Sequence, residues 1–125
     1  MEKGDANFNE QFRNRSRALA MDICKWLEQL PKKDSLYYLK GQITRSGTSI
    51  AANFRAASRA RSAQEYYAKL CIVVEECDET LFWLEFIAEM YSLKNEKISF
   101  LLKETSELLA VFTTTKKKLK EKFKT

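Results

Sequence analysis

Four arginines, Arg45, Arg55, Arg59 and Arg61, lie in a stretch from Ser35 to Gln64 that contains no acidic residue. A guanidinium is planar, permanently charged and able to make two parallel hydrogen bonds to one carboxylate or phosphate. The chemistry this stretch offers is therefore the holding of anions. Exposed helices ordinarily interleave acids with bases, so a run of single sign is the informative feature. A solvated helix face accounts for outward charge just as well, and composition alone does not separate the two. With residues set 100° apart on a helix, Arg45, Arg55 and Arg59 fall within about 80° of one another. Arg61 follows at the turn into the next element.

Other chemistry is largely closed to this chain. It has no histidine, which removes the usual general base, every histidine-dependent triad and the Glu-x-x-His pattern of di-iron bundles. The three cysteines are Cys24, Cys71 and Cys77, and all fall inside apolar-periodic segments. Cys71 and Cys77 are six residues apart, about 240° round a helix, so they do not converge on a metal. They read as free thiols of a cytoplasmic protein. We expect no catalytic residue, no metal site and no cofactor: a non-enzymatic chain.

Charge along the chain is segregated. Residues 35–64 carry five basic groups and no acid, whereas residues 65–92 carry one basic group and seven acids. Residues 93–125 carry nine basic groups and four acids, ending in Lys116, Lys117, Lys118, Lys120, Lys122 and Lys124. Two uses of the arginines compete. They pair with the acidic segment, within the chain or across a subunit boundary, or they bind phosphates together with the lysine-rich end. Surface ion pairs contribute only about 0–1 kcal/mol each, so pairing would set register more than stability. No zinc-finger spacing and no RNA-recognition aromatic motif is present, which favours backbone contact over base reading.

The elements that must position these side chains are helical. With 125 residues, 3 Gly and 1 Pro, the chain is long enough for one core and poor in breakers. Phe8, Phe12, Leu19, Ile23, Trp26 and Leu30 share a face about 60° wide, with Asn7 as N-cap and Pro31 closing the segment. Leu36, Leu39, Ile43, Ile50, Phe54 and Ala57 share another such face, capped by Asp34 or Ser35. Gly41 and Gly47 mark in it either a bend or a close approach. Ser62 to Glu65 is a capping-box pattern, followed by a stripe from Tyr66 to Tyr91. Asn95 caps the last segment, whose apolar residues run from Ile98 to Phe123. Thr113, Thr114 and Thr115 lower its helix propensity, so its lysine-rich end is expected to fray. The pattern predicts helices over about 7–30, 35–60, 63–92 and 95–122. Short connections make neighbours antiparallel, giving an all-α, up-down-up-down four-helix bundle in a single domain.

The third helix has more apolar surface than a bundle seam requires. Opposite its core stripe lie Phe82, Trp83, Phe86 and Met90, while Glu65, Glu75, Glu76 and Glu79 occupy the same outer face nearer its start. The aromatics either cover the bundle's end or meet another subunit, and monomers rarely expose large apolar patches. We therefore assign Phe82, Trp83, Phe86 and Met90 to an interface between copies. The polar N-terminus is no signal peptide, and no apolar run approaches the ~20 residues a membrane span needs.

The run "QITRSGTSIAANFRAASRARSAQEYYAKLCIVVEECDETLFWLEFI" resembles the bacterial four helix bundle protein family. That family includes proteins encoded in intervening sequences of 23S ribosomal RNA genes, and it looks related to the accessory variability protein of diversity-generating retroelements. The shared pattern is carried by Arg45, Ser46, Ser49, Ile50 and Asn53, then by Arg61, Ser62 and Glu65, with Arg61 and Ser62 adjacent here. Many members have a Glu-Gly pair where this chain has Ala56-Ala57, which leaves the arginine stripe purely cationic. The resemblance covers about residues 40–90. It implies a homo-oligomer, a pentameric ring in some relatives, with a basic surface that associates with RNA or DNA. In the retroelement branch it also implies a reverse transcriptase partner.

Overall fold

A computed structural model of the chain describes residues 4–123. Four helices follow one another: α1 (Ala6–Glu28), α2 (Asp34–Ser58), α3 (Ala63–Met90) and α4 (Glu96–Phe123). No strand occurs among the described residues. The apolar stripes become the core: Ile23, Ile43, Ile50, Phe54, Tyr66, Leu84, Ile87 and Phe112 are all essentially inaccessible. Each helix packs on its sequence neighbours and α4 closes back on α1, with α1 and α4 meeting least extensively.

Long-range contacts fix the directions. Ser35 at the start of α2 meets Tyr91 at the end of α3, with the two hydroxyls 2.6 Å apart. Arg15 of α1 reaches Glu104 of α4, and Lys97 of α4 lies 3.7 Å from Asp22 of α1, so these helices also run antiparallel. The bundle is thus up-down-up-down. One end gathers the start of α1, the end of α2, the start of α3 and the end of α4. There Tyr66 donates to the buried Asn9 Oδ1 at 3.0 Å, tying α3 to α1 across the core. A cluster of Phe8, Phe12, Phe54 and Phe112, with centroids 4.6 to 6.2 Å apart, fills the same end.

The helix ends follow local chemistry, with two departures from expectation. Asp5, not Asn7, caps α1, its carboxylate accepting from the backbone N–H of Asn7 and Phe8. Lys33 stands at the N-cap of α2 without a side-chain bond, and Asp34 and Ser35 lie inside the first turn. Ser62 does cap α3, and Asn95 Oδ1 accepts from Ile98 N at 3.0 Å at the start of α4. At the far end of α3, Leu93 N donates to Ala88 O at 2.8 Å while Ser92 takes a φ of 52°. This is the Schellman stop, with serine where glycine is usual.

The two helical glycines part company. A Cβ on Gly47 would come within 3.2 Å of Ile23 Cδ1, so this glycine marks the close approach of α1 to α2. Gly41 faces open space. The lysine-rich end of α4 stays helical to Phe123. Thr115 hands its hydroxyl proton back to Val111 O, and Phe123 lies edge-on to Tyr67. Lys124 falls outside the described residues.

Candidate nucleic-acid interface

The arginines of α2 are set by its buried face. Phe54 and Ala57 are fully buried, which turns Arg55 and Arg59 outward on the side toward α1. Buried Phe12 and Ser16 do the same for Arg13 and Arg17 of α1. Because α1 and α2 run antiparallel, the two pairs converge. Arg13, Arg17, Arg55 and Arg59 line one groove of about 480 Å³, together with Asn14, Ala20, Met21, Thr48, Ala51 and Ala52.

Among the described residues, no carboxylate lines this groove. Arg17, Arg55 and Arg59 make no ion pair with any described residue, and Arg13 has only the Ser58 hydroxyl, at 3.3 Å. Glu10, a turn before Arg13, is exposed and does not line the groove. Each pair of like charges here costs on the order of 1 kcal/mol or less in so wet a setting. Together they make a concave cationic field that attracts anions from solution.

The other arginines have different surroundings. Arg45 turns toward α3, where Glu79 and Glu76 both accept from its guanidinium, Glu76 at 3.2 Å. The hydrogen bond it donates to Glu79, and then the charges of both glutamates, outweigh partial desolvation and raise its pKa. Arg45 therefore leaves the expected ribbon. It shares a helix face with Arg59, but its neighbour is the acidic helix. On α1, Arg15 is held by Glu104 at 2.6 Å and Glu107 at 3.1 Å, over the ring of Phe12. Arg61 is 90% exposed and lies 3.4 Å from Glu65, whose other oxygen accepts from the Arg61 backbone N–H. Arg61 does not line the groove. Sequence reasoning missed Arg13 and Arg17. Their four-residue spacing, the same as that of Arg55 and Arg59, was the available signal.

The polar residues that carry the family pattern are mostly occupied with their own backbone. Ser46 Oγ donates to Ile43 O at 3.4 Å and Asn53 Nδ2 to Ser49 O at 3.0 Å. Ala57 is buried and Ala56 half-buried, so no acid stands beside Arg55.

The aromatic face of α3 occupies the opposite end of the bundle. Phe82, Phe86 and Met90 are exposed, as are Tyr37 and Tyr38 at the start of α2. Trp83 is half-buried: its ring meets Tyr38 at 6.2 Å and its Nε1 donates to Glu79 at 3.3 Å. Trp83 is thus in part a lid on its own bundle, whereas its neighbours project. The cysteines are free thiols; Cys77 is buried, and Cys24 and Cys71 are half-buried. No described helix is long and apolar enough to cross a membrane.

A four-helix bundle whose polar signature runs from Arg45 to Glu65 defines a class, and comparison with known proteins places the chain in it. The family model of the 23S rRNA-intervening sequence protein matches residues 9–114, so the chain belongs to that family. A solved structure from Bacteroides thetaiotaomicron, described as a protein of unknown function from the S23 ribosomal protein family, is 28% identical. It superposes with a TM-score of 0.76, covering 84% of this chain and 97% of its own. No curated protein matches the sequence.

Proposed function

We propose that this protein is a non-enzymatic, self-assembling cytoplasmic bundle that binds nucleic acid electrostatically through the α1–α2 groove. The observation that carries the reading is the convergence of Arg13, Arg17, Arg55 and Arg59 on one groove that no carboxylate of the described residues lines. Four guanidiniums that meet no carboxylate among the described residues, only Arg13 having a neutral partner in Ser58, are poised for bidentate contacts with phosphate. Membership of a family named for an intervening sequence of 23S ribosomal RNA makes a polynucleotide the natural source of those phosphates. Arg61 and the lysines of the α4 end lie toward the same end of the bundle and extend the basic surface.

Self-assembly is the second part of the proposal. Phe82, Phe86 and Met90, edged by Tyr38, form an apolar surface away from the groove, so copies can associate without covering the arginines. Repetition of the groove in an oligomer multiplies its avidity. The pentameric count and a reverse transcriptase partner follow from the family resemblance alone.

A rival reading, in which the protein is an adaptor whose arginines meet carboxylates, is favoured by the clasp of Arg45 on Glu76 and Glu79. One experiment separates them. Replace Arg13, Arg17, Arg55 and Arg59 together by glutamine, and measure binding of labelled RNA by fluorescence anisotropy across salt concentrations, with oligomer mass by light scattering. We expect affinity to fall at least ~100-fold and the log–log salt slope to flatten by about 3, at roughly 0.7 per single-strand phosphate contact, with the mass unchanged. Unaltered RNA binding, or an oligomer that falls apart, would hand the groove to the adaptor reading.

A further inference from the structure

Resting on the reading of the groove as a phosphate site, we infer that it seats an unpaired nucleotide of a single strand, not the outer wall of a duplex. The base lies on an apolar floor and its flanking phosphates lie on the arginines. Phosphate alone has no use for apolar contact, yet half of this groove supplies it. Ala51 and Ala52 of α2 and Ala20 of α1 make a methyl-lined floor, and Met21, 48% exposed, stands beside it. A thioether next to a flat methyl surface suits the face of an aromatic ring. Guanidinium planes at the rim stack on bases as readily as they bind phosphate.

Size and spacing agree. The groove, of about 480 Å³, is concave and lies in the range of pockets that enclose small ligands, which suits one nucleotide. A duplex keeps its bases stacked inside and presents a convex phosphate wall, so no base of it reaches the floor. Arg13 with Arg17, and Arg55 with Arg59, are each four residues apart, a step of about 6 Å along a helix. Two such rows on opposite walls match successive phosphates of a strand threading between α1 and α2. The amide of Asn14, on the same lining, makes no hydrogen bond with a described residue and is available to a base edge or a ribose hydroxyl.

The test compares three labelled probes at one salt concentration: a 20-nucleotide oligouridylate, an abasic strand of the same length, and an RNA duplex of the same length. The duplex carries twice the charge, so simple electrostatics ranks it first. Seating of a base predicts instead that oligouridylate binds at least about tenfold more tightly than either of the others. Ala52→Leu, at an exposed helical position, fills the floor without altering charge. It should weaken oligouridylate about tenfold and leave the abasic strand within about twofold, with the circular dichroism spectrum unchanged. An abasic strand that binds as well as oligouridylate, or a duplex that binds better, overturns the base seat while the arginine reading stands. Failure of all three probes to bind overturns both.

Discussion

Arg45 and Arg55 lie under three turns apart on α2, and their surroundings are opposite. At the α2–α3 seam, the antiparallel register sets Arg45 level with Glu76 and Glu79, and the charge is spent inside the molecule. The α1–α4 seam behaves likewise, with Arg15 on Glu104 and Glu107. At the α1–α2 seam the register that packs Gly47 on Ile23 and Arg13 on Ser58 sets arginine pair beside arginine pair. Helix propensity is indifferent to this distinction, and so is each residue's outward direction. Folding stability gains from the first two seams and loses from the third. A cationic groove that keeps its own repulsion is a local inconsistency in an otherwise consistent fold, which is the ground for the proposal made of it.

The comparison can be broken or sharpened by substitution, from the largest effect downward. Phe54→Ala removes the buried ring beneath Arg55 and should cost about 3–5 kcal/mol in urea unfolding, because that ring is fully buried against Phe112 in the aromatic cluster. Phe86→Ala at the opposite end, being exposed, should cost the isolated bundle little and act on oligomer mass instead.

Reversing charge tests the seams directly. Arg55→Glu with Arg59→Glu should lower RNA affinity at least ~100-fold and raise the melting temperature by a few degrees, since the new carboxylates face Arg13 and Arg17. Arg45→Glu should do the reverse, lowering stability against Glu76 and Glu79 while affinity stays within about threefold. Equal losses of affinity in both variants would erase the distinction between the seams.

Smaller effects concern the frame. Burial pushes the Cys77 thiol up to about 12, and the Tyr66 hydroxyl likewise to about 12. Both groups therefore release their protons more readily in the unfolded chain. Their contribution to stability is full below the ordinary thiol range and is lost as pH rises from there toward 12. The urea midpoint should fall across that window. Tyr66→Phe should flatten part of the fall and cost about 1 kcal/mol at neutral pH through loss of the bond to Asn9. Least of all, Gly41→Ala should stabilise by up to ~1 kcal/mol. Gly47→Ala should gain less, because its methyl presses Ile23 at the groove seam.

Much of the frame is legible in the sequence. The apolar stripe of α2, Leu36, Leu39, Ile43, Ile50, Phe54 and Ala57, is buried throughout, and Ser62 and Asn95 do cap their helices. Departures occur where two local solutions had similar energies. Asp5 and Asn7 are both good caps two residues apart, and Asp5 prevails. Thr113, Thr114 and Thr115 lower helix propensity and predict fraying of the lysine-rich end, but Leu119 buries against the core and α4 stays helical to Phe123. The candidate surface is only half legible in the sequence. Arg55 and Arg59 stand out in an acid-free stretch, but their neighbours in the groove, Arg13 and Arg17, lie some forty residues away in a helix of ordinary mixed charge.

By itself the sequence determined which face of each helix is apolar, where the helices stop and how strongly basic the α2 segment is. These properties follow from side chains three or four residues apart and from local hydrogen-bond competition, interactions that exist along a single chain segment. Only the tertiary structure decided which arginine would find a glutamate and which would find another arginine. That outcome depends on the register of antiparallel helices and on their order around the bundle, which are fixed by packing over the whole core and are not written in any one segment.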